Sequence, residues 1–264
     1  MLELKTKTSK NAKKSLQQNK RIPRVSTRGF YDLQTGETRK NKPFDLYPKK
    51  FFDCLDGVPE ITIIIHGLRN NKSGALVKFA LARHRLAQLG YTHPVVGFSY
   101  DSNTKGVQYK SKELHATKIG ISIAKKNGSN LAKFVLFVKK RFPDVKIRLI
   151  GHSLGSQVIL STLDHLKGKK LIEAAYIFGA SIPSDAIGMQ KYGTAIQKTV
   201  NQKFVNYYSK YDNVLKYASE QELIPVPIGL VGATGKTPLV YAQHHVHPDN
   251  HRFVSYAKVL KSYP

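Results

Sequence analysis

The sequence predicts an α/β protein whose central sheet is mostly parallel and is covered by helices on both faces. Short apolar runs rich in β-branched residues alternate along the chain with longer stretches of helical periodicity. The clearest strand is "ITIIIHG" (residues 61–67), a continuous apolar run that ends in glycine, as a buried parallel strand does. Strands that alternate with helices form parallel sheets. With 264 residues, the chain is long enough to bury a substantial core.

The chain is predicted to consist of a basic arm, residues 1–24, and one α/β domain, residues 25–264. The arm is rich in lysine, lacks periodicity and has few apolar residues, which is typical of a flexible segment. At the start of the domain, a turn signal at Thr35-Gly36 predicts a short β-hairpin or two edge strands.

The remaining elements follow from periodicity and from their terminal residues. The predicted strands are "ITIIIHG" (61–67), "HPVVGFSYD" (93–101), "VKIRLIG" (145–151), "LIEAAYIFGASIP" (171–183), "KFVNYYSKYD" (203–212) and "PLVYAQHHV" (238–246). The predicted helices are 73–90, 111–142, 154–166 and 252–263. The long helical region 111–142 is expected to be interrupted near Asn127-Gly128, since glycine disfavours a helix interior.

One motif in the sequence is typical of a catalytic serine. Gly151-His152-Ser153-Leu154-Gly155 fits G-x-S-x-G, which is the pattern of a nucleophile elbow. The pattern alone is weak, but the elbow requires a strand before it and a helix after it, and both are predicted here. Its small residues also allow the strand and the helix to cross closely. The sequence therefore predicts Ser153 as a nucleophile rather than as a simple turn residue.

The segments "LIGHSLGSQVI" and "IIIHGLRN" resemble the α/β-hydrolase superfamily. The resemblance covers approximately Gly57 to the C-terminus and extends to "YSKYD" after a later strand and to a histidine before the last helix. It is strongest for lipase-type serine hydrolases with GHSLG elbows and for the hydrolase domain of transmembrane-and-coiled-coil-domain proteins. The resemblance implies an α/β-hydrolase fold, here without a large cap domain because only some twenty residues separate "GASIP" from "KFVNYY".

A serine nucleophile needs a histidine base and an acid that orients the histidine, in the chain order Ser, acid, His. Asp212 ends a predicted strand, where the acid of this superfamily usually lies, and Asp185 is the alternative. His251 fits the base because it lies in the loop before the final helix, and His247 is the alternative. His152 is expected to pack rather than react.

The resemblance also implies where the oxyanion would be bound. The first donor would be the backbone N–H of Leu154, directly after the nucleophile, and the second would be the N–H of Leu68. His66-Gly67 would let that backbone approach the site closely.

No cofactor or metal is expected. Histidines 244, 245 and 247 cannot all point to one face of a strand, and no carboxylate motif accompanies them. The segment "GLVGATGKT" resembles a phosphate loop, but its first glycine is one residue too early and Pro238 follows it where a helix is needed. The single cysteine, Cys54, excludes an intrachain disulfide.

Composition limits where the protein acts. No apolar run approaches the length of a membrane span, and the basic N-terminus lacks the apolar core of a secretory signal. The simplest interpretation is a cytoplasmic protein. Three functions are compatible with these observations: a serine hydrolase of carboxylic esters or thioesters, an acyltransferase on the same triad, and a non-catalytic module that binds nucleic acid or anionic membrane.

The net charge of +26 predicts contact with polyanions, in which the arm would take a large part. Deleting the arm should therefore flatten the salt dependence of binding to DNA and to anionic liposomes, since the log–log slope for duplex DNA is about −0.9 per phosphate contact. Ester turnover should stay nearly unchanged. Equal slopes for the full-length and truncated proteins, measured at several salt concentrations, would contradict this role of the arm.

Overall fold

The computed structural model describes residues 22–264, which form one mixed sheet with helices on both sides. The strands are β1 (Arg24–Ser26), β2 (Asp45–Tyr47), β3 (Glu60–Ile65), β4 (Val95–Ser99), β5 (Lys146–His152), β6 (Ile172–Phe178), β7 (Val200–Tyr208) and β8 (Tyr241–His245). The helices are α1 (Lys49–Asp53), α2 (Lys72–Gln88), α3 (Glu113–Arg141), α4 (Gly155–His165), α5 (Thr194–Thr199), α6 (Asn213–Glu220), α7 (Ile228–Val231) and α8 (Phe253–Val259).

The sheet has the order β2-β1-β4-β3-β5-β6-β7-β8. All neighbouring strands are parallel except the edge pair of β1 and β2, which is antiparallel. The predicted fold class, an α/β protein with a mostly parallel central sheet and helices on both faces, is confirmed. Only a loop with a kinked turn (Met189–Gly193) and α5 lie between β6 and β7, so no cap domain is inserted there.

The core lies in two layers, one on each face of the sheet. One layer packs α3 and α4 against side chains such as Ile63 and Leu149. The other packs α2 and α8 against side chains such as Ile64 and Ile150. Adjacent residues of β3 and β5 thus point to opposite layers, as the period of a strand requires. Burial on both faces explains why these strands are mainly apolar, and the buried charges of Glu60 and Arg148 pair with each other at 2.9 Å.

The register of the central strands positions the site. Ile65 at the end of β3 pairs with Gly151 of β5, and Phe178 at the end of β6 pairs with His152. The residues that follow β3, β5 and β6 therefore meet at the carboxyl edge of the sheet, where ligands bind in open α/β folds.

The predicted interruption of the long helix is wrong, because α3 runs continuously from Glu113 to Arg141. The Asn127 side chain donates to the carbonyl of Ile123 at 2.8 Å and accepts from Thr27 Oγ1 at 2.6 Å. Gly128 faces α4, and a Cβ placed there would lie 2.2 Å from Ser161 Cβ. The two residues thus serve close packing between helices rather than a break in the helix.

This contact makes Gly128 sensitive to substitution. We expect Gly128→Ala to destabilise the protein by about 1–3 kcal/mol or more, because the added methyl group overpacks the interface between α3 and α4. Lys125→Ala, on the exposed side of the same helix, should change stability by no more than about 0.5 kcal/mol. Urea unfolding measures both, and equal midpoints for the two variants would contradict the packing described here.

The end of the predicted arm contacts the domain in the structure. Ile22 is fully buried, and β1 begins at Arg24 and pairs with β4. Most of the predicted arm lies outside the described residues, so the truncation that tests it should remove residues 1–21 and keep Ile22. The predicted edge strands are present as β1 and β2, with an isolated bridge between Tyr31 and Thr38 around the predicted turn. Within residues 22–264, no helix combines the length and the apolar character needed to cross a membrane.

Candidate active site

Ser153 lies in the sharp turn between β5 and α4. Its backbone has a φ of +53°, in the left-handed region that residues with a side chain rarely adopt. Such a conformation costs on the order of 1–3 kcal/mol and persists only where the surroundings impose it. They do so here, because the N–H of Ser153 donates to the carbonyl of Phe178 at 3.0 Å and Gly155 approaches the end of β3 closely. A Cβ at Gly155 would lie 2.5 Å from the carbonyl oxygen of Ile65, which explains the second glycine of the motif.

A chain of hydrogen bonds joins Ser153 to a histidine and an acid. The Oγ of Ser153 lies 3.0 Å from Nε2 of His251, and Nδ1 of the same ring lies 2.7 Å from Oδ2 of Asp212. With the proton on Nδ1, the ring donates to Asp212 and leaves Nε2 free to accept from the serine. The structure thus brings together Ser153, Asp212 and His251, the three residues predicted from the sequence.

Asp212 is held by four donors. Its Oδ1 caps α6 by accepting from the N–H groups of Val214 and Leu215, both at 3.1 Å. Its Oδ2 accepts from His251 and from the hydroxyl of Tyr256 at 2.7 Å. Burial alone would raise the pKa of Asp212, but the hydrogen bonds from His251, Tyr256 and Leu215 lower it below its ordinary value. The carboxylate is therefore ionised at neutral pH, although its side chain is fully buried.

Tyr256 is a member of the site that the sequence analysis missed. It lies on α8 and is fully buried. Burial, and then the charge and the hydrogen bond of Asp212, raise the pKa of Tyr256 far above its ordinary value, so the hydroxyl keeps its proton and donates. Nothing in the sequence marks this residue, because its contact with Asp212 depends on where the last helix packs.

The alternative acid and base lie elsewhere. Asp185 is exposed and forms an ion pair with Lys191 at 2.6 Å. The ring of His247 packs on the exposed ring of Tyr211, with 5.2 Å between their centroids. The structure places neither residue in contact with Ser153.

Ser181 is a second residue that the sequence analysis missed. Its Oγ lies 2.8 Å from the Oγ of Ser153, in the loop that follows β6. When Ser153 donates to His251, Ser181 can donate to Ser153 and hold its oxygen in place. Its position directly after a strand, at the carboxyl edge of the sheet, is the signal that could have identified it.

The two predicted oxyanion donors are free. Within residues 22–264, neither the N–H of Leu68 nor that of Leu154 donates a hydrogen bond. The side chain of Asn70 donates to the carbonyls of Gly67 and Leu68 at 3.0 and 2.8 Å, which fixes the loop that carries Leu68. A pair of unengaged N–H groups beside a serine nucleophile can stabilise the charge of a tetrahedral intermediate.

Arg28 supports this loop from outside the motif. Its guanidinium donates to the carbonyls of Asn70 and Asn71 at 2.8 and 3.2 Å and to Nε2 of His66 at 3.0 Å. Burial lowers the pKa of Arg28 to about 10, so it stays charged at neutral pH. Burial and then the charge of Arg28 lower the pKa of His66 well below its ordinary value. The neutral ring accepts at Nε2, and its Nδ1–H donates to the carbonyl of Gly67 at 3.0 Å.

His152 packs beside the triad, as predicted. Its Nε2–H donates to the backbone carbonyl of His251 at 2.8 Å, and the two rings lie 5.0 Å apart. Burial, and then the neighbouring His251, lower the pKa of His152 well below its ordinary value. The neutral ring therefore positions the backbone of His251 without competing with it for a proton.

A cavity of about 330 Å³ opens beside Ser153. This volume lies within the range of small-molecule sites, which is roughly 300–1,000 Å³. The walls are mainly apolar and come from Leu68, Ile121, Leu154, Val214, Leu215, Ala218, Leu223 and Ile224. Glu113 and Arg69 also line the cavity, where they pair with each other, and Glu113 accepts from the hydroxyl of Tyr217 at 3.0 Å. Such a cavity can hold an uncharged, apolar group next to the serine.

The close approach of Gly67 to Ser153 gives a test of the loop that carries Leu68, the second predicted oxyanion donor. A Cβ at residue 67 would lie 2.8 Å from Ser153 Cβ and 3.0 Å from the carbonyl oxygen of His152. Gly67→Ala should therefore displace Leu68 or Ser153 and lower kcat by about 10- to 100-fold, because small misplacements of catalytic groups are costly. Steady-state kinetics and circular dichroism measure activity and folding separately. A folded variant with the wild-type kcat would contradict this arrangement.

No metal cluster is formed by the part of the chain that the structure describes, since no three histidine, cysteine or carboxylate side chains converge there. His244 and His245 lie on β8 with exposed side chains. The segment around "GLVGATGKT" forms the short helix α7 and the loop after it.

Comparisons with known proteins give one family match and several structural resemblances. Residues 115–227 match the family described as "Protein of unknown function (DUF726)", which covers less than half of the chain. A search of curated proteins found no match.

Three solved structures have folds that are similar to the fold of this chain. TT1662 from Thermus thermophilus is 14% identical, with 77% of this chain and 87% of that chain covered and a TM-score of 0.47. A Trichoderma reesei cutinase in complex with a phosphonate inhibitor is 18% identical, with 80% of both chains covered and a TM-score of 0.38. A lipase-esterase related protein from Clostridium acetobutylicum is 13% identical, with 76% of this chain and 91% of that chain covered and a TM-score of 0.41. None of these matches concerns the transmembrane-and-coiled-coil-domain proteins, so that finer resemblance stays a prediction.

Proposed function

We propose that this protein is a serine hydrolase that cleaves a carboxylic ester or thioester through an acyl-enzyme on Ser153. The observation that carries the proposal is the continuous hydrogen-bond chain from Ser153 Oγ through His251 to Asp212, at 3.0 and 2.7 Å. A serine hydroxyl is a poor nucleophile at neutral pH, and this arrangement is the one that activates it.

The first half of the reaction forms the acyl-enzyme. Ser153 Oγ attacks the acyl carbon while its proton passes to Nε2 of His251, and ionised Asp212 stabilises the imidazolium that results. The negative charge that develops on the carbonyl oxygen is bound by the N–H groups of Leu68 and Leu154. Collapse of the tetrahedral intermediate breaks the bond to the alcohol or thiol, which takes the proton from His251.

The second half returns the enzyme to its starting state. A water molecule gives a proton to His251 and attacks the acyl carbon of the acyl-enzyme. The second intermediate collapses, Ser153 recovers its proton from His251, and the free acid leaves. The apolar cavity beside Ser153 favours an uncharged, apolar acyl group, because burying apolar surface there is favourable and burying a charge is costly.

Labelling with a fluorophosphonate tests the proposal directly. The probe phosphonylates an activated serine, so we expect one label per chain, located at Ser153 by peptide mass spectrometry. His251→Ala should abolish the label, because the serine then lacks its base. His247→Ala is the matched control and should label at the wild-type rate. Folded wild-type protein that resists the probe would overturn the hydrolase proposal and leave a non-catalytic binding module.

A further inference from the structure

Beside the cavity, the surface combines exposed apolar side chains with lysines. We define the rim patch as Lys210, Tyr211, Val214, Lys216 and Val231. Tyr211, Val214 and Val231 are 59%, 52% and 45% exposed, which is high for large apolar side chains.

The rim patch extends over both sides of α6. Val214 lines the cavity, while Lys210, Lys216 and Val231 line an open groove of about 690 Å³. Helix α6 lies between the two, because side chains two residues apart on a helix leave it on opposite sides, Val214 toward the cavity and Lys216 toward the groove. Tyr211 precedes α6 and packs against His245, another residue of the groove, with 5.9 Å between the ring centroids.

The charge of the rim patch is positive. Within residues 22–264, neither Lys210 nor Lys216 forms an ion pair with an acidic side chain. Lys210 instead places its Nζ 5.3 Å from the centroid of the Tyr211 ring. Asp212 is fully buried and bound to His251, and the exposed Glu220 and Glu222 at the far end of α6 form no ion pair with these lysines in the described part of the chain.

This combination favours a lipid surface over a nucleic acid. Valine side chains offer nothing to a phosphate or to the edge of a base, whereas they gain free energy when they enter the boundary between headgroups and acyl chains. Tyrosine is also suited to this boundary because its ring is apolar and its hydroxyl is polar. Lysines next to such residues are attracted to anionic headgroups.

We propose that the rim patch docks the protein on an anionic lipid bilayer. Val214 and Tyr211 would enter the interface, Lys210 and Lys216 would contact anionic headgroups, and the mouth of the cavity would face the lipid. One consequence rests on the proposed function: the ester that reaches Ser153 would be drawn from the bilayer rather than from bulk water.

Co-sedimentation with vesicles tests the docking without using activity. The full-length chain carrying Ser153→Ala is mixed with vesicles of phosphatidylcholine alone or of phosphatidylcholine with phosphatidylserine. In this background, Lys210→Glu/Lys216→Glu should weaken partitioning to the anionic vesicles at least about tenfold, and Tyr211→Ser should weaken it several-fold. The matched control is Lys169→Glu/Lys170→Glu, which changes the net charge equally but lies just before β6, at the amino ends of the parallel strands and thus opposite the end that carries Ser153. The control should bind the anionic vesicles almost as well as the Ser153→Ala protein does.

Two results would overturn the proposal. Equal losses in the two lysine pairs would show that only net charge matters, and no loss in either pair would show that the rim patch is not used. If Lys210→Glu/Lys216→Glu weakened the binding of single-stranded RNA and left vesicle binding intact, the partner of this surface would be a nucleic acid. Circular dichroism of each variant confirms that it is folded.

The proposed function is tested separately in the active protein. Lys210→Glu/Lys216→Glu should turn over a short, soluble ester at the wild-type rate and lose turnover of an ester embedded in anionic vesicles. If no ester is turned over by the wild type, the hydrolase proposal fails while the vesicle binding of the Ser153→Ala protein still decides the docking. If vesicle binding fails and the soluble ester is cleaved, only the docking is wrong.

Discussion

Ser153→Ala is expected to lower ester turnover by about 10⁴- to 10⁶-fold while the protein stays folded. The substitution removes the Oγ that lies 3.0 Å from Nε2 of His251 and that would form the bond to the acyl group. The remaining rate would come from the oxyanion donors and from substrate binding, which act without the nucleophile.

The structure suggests little effect of this substitution on folding. Ser153 is 8% exposed, and its hydroxyl contacts only His251 and Ser181 in the residues described. Both partners can turn to water in the cavity. The positive φ is equally strained for alanine, so the substitution does not change that cost.

Kinetics with a chromogenic ester, together with thermal unfolding, would check this prediction. Ser181→Ala is the comparison, because it removes a hydroxyl 2.8 Å from the same oxygen without removing the nucleophile. It should cost far less activity than Ser153→Ala. A residual rate above a tenth of wild type in Ser153→Ala would reject Ser153 as the nucleophile.

The sequence predicted the sheet and the motif residues because their signals are local. "ITIIIHG" and "VKIRLIG" are mainly apolar because both faces of a central parallel strand are buried. Asp212 and His251 could be placed because the resemblance to α/β-hydrolases implies an acid after a late strand and a histidine before the last helix. The sequence predicts a strand that ends at Asp212, whereas β7 ends at Tyr208 and Asp212 caps α6.

Other features could not be predicted because they depend on contacts between distant segments. Arg28 reaches His66 only because β1 pairs with β4 at the edge of the sheet, and that pairing has no sequence signature. Tyr256 reaches Asp212 only after α8 packs against the sheet. Gly128 was misinterpreted for the same reason, since glycine in a helix indicates a break unless the neighbouring helix that needs the space is known.

Asp212→Asn should affect both catalysis and stability. The asparagine oxygen can still accept from the N–H groups of Val214 and Leu215, so the cap of α6 can survive. The amide nitrogen would then face Nδ1 of His251, to which it can only donate. Donation to Nδ1 favours the tautomer with its proton on Nε2, which cannot take the proton of Ser153. We expect kcat to fall by about 10⁴-fold.

The loss of stability follows from Tyr256 and from the charge. The hydroxyl of Tyr256 would be buried without an acceptor, which costs about 1–3 kcal/mol. Since the pKa of Asp212 in the folded protein is below its ordinary value of 3.8, its ionisation stabilises the fold above that pH. This contribution is lost as the pH falls through the lower, folded-state pKa. The difference in stability between wild type and Asp212→Asn should therefore be largest near neutral pH and shrink in acid.

Urea unfolding at several pH values and steady-state kinetics measure the two effects of Asp212→Asn in the same samples. Asp185→Asn is the matched control, because it makes the same chemical change at the exposed acid that pairs with Lys191. It should leave kcat and the unfolding midpoint nearly unchanged, since exposed ion pairs contribute little. Tyr256→Phe added to Asp212→Asn should recover part of the lost stability, because the unpaired hydroxyl is removed, and should recover none of the activity. Wild-type turnover in Asp212→Asn with a large loss in Asp185→Asn would instead assign the acid to Asp185 and leave Asp212 as the cap of α6.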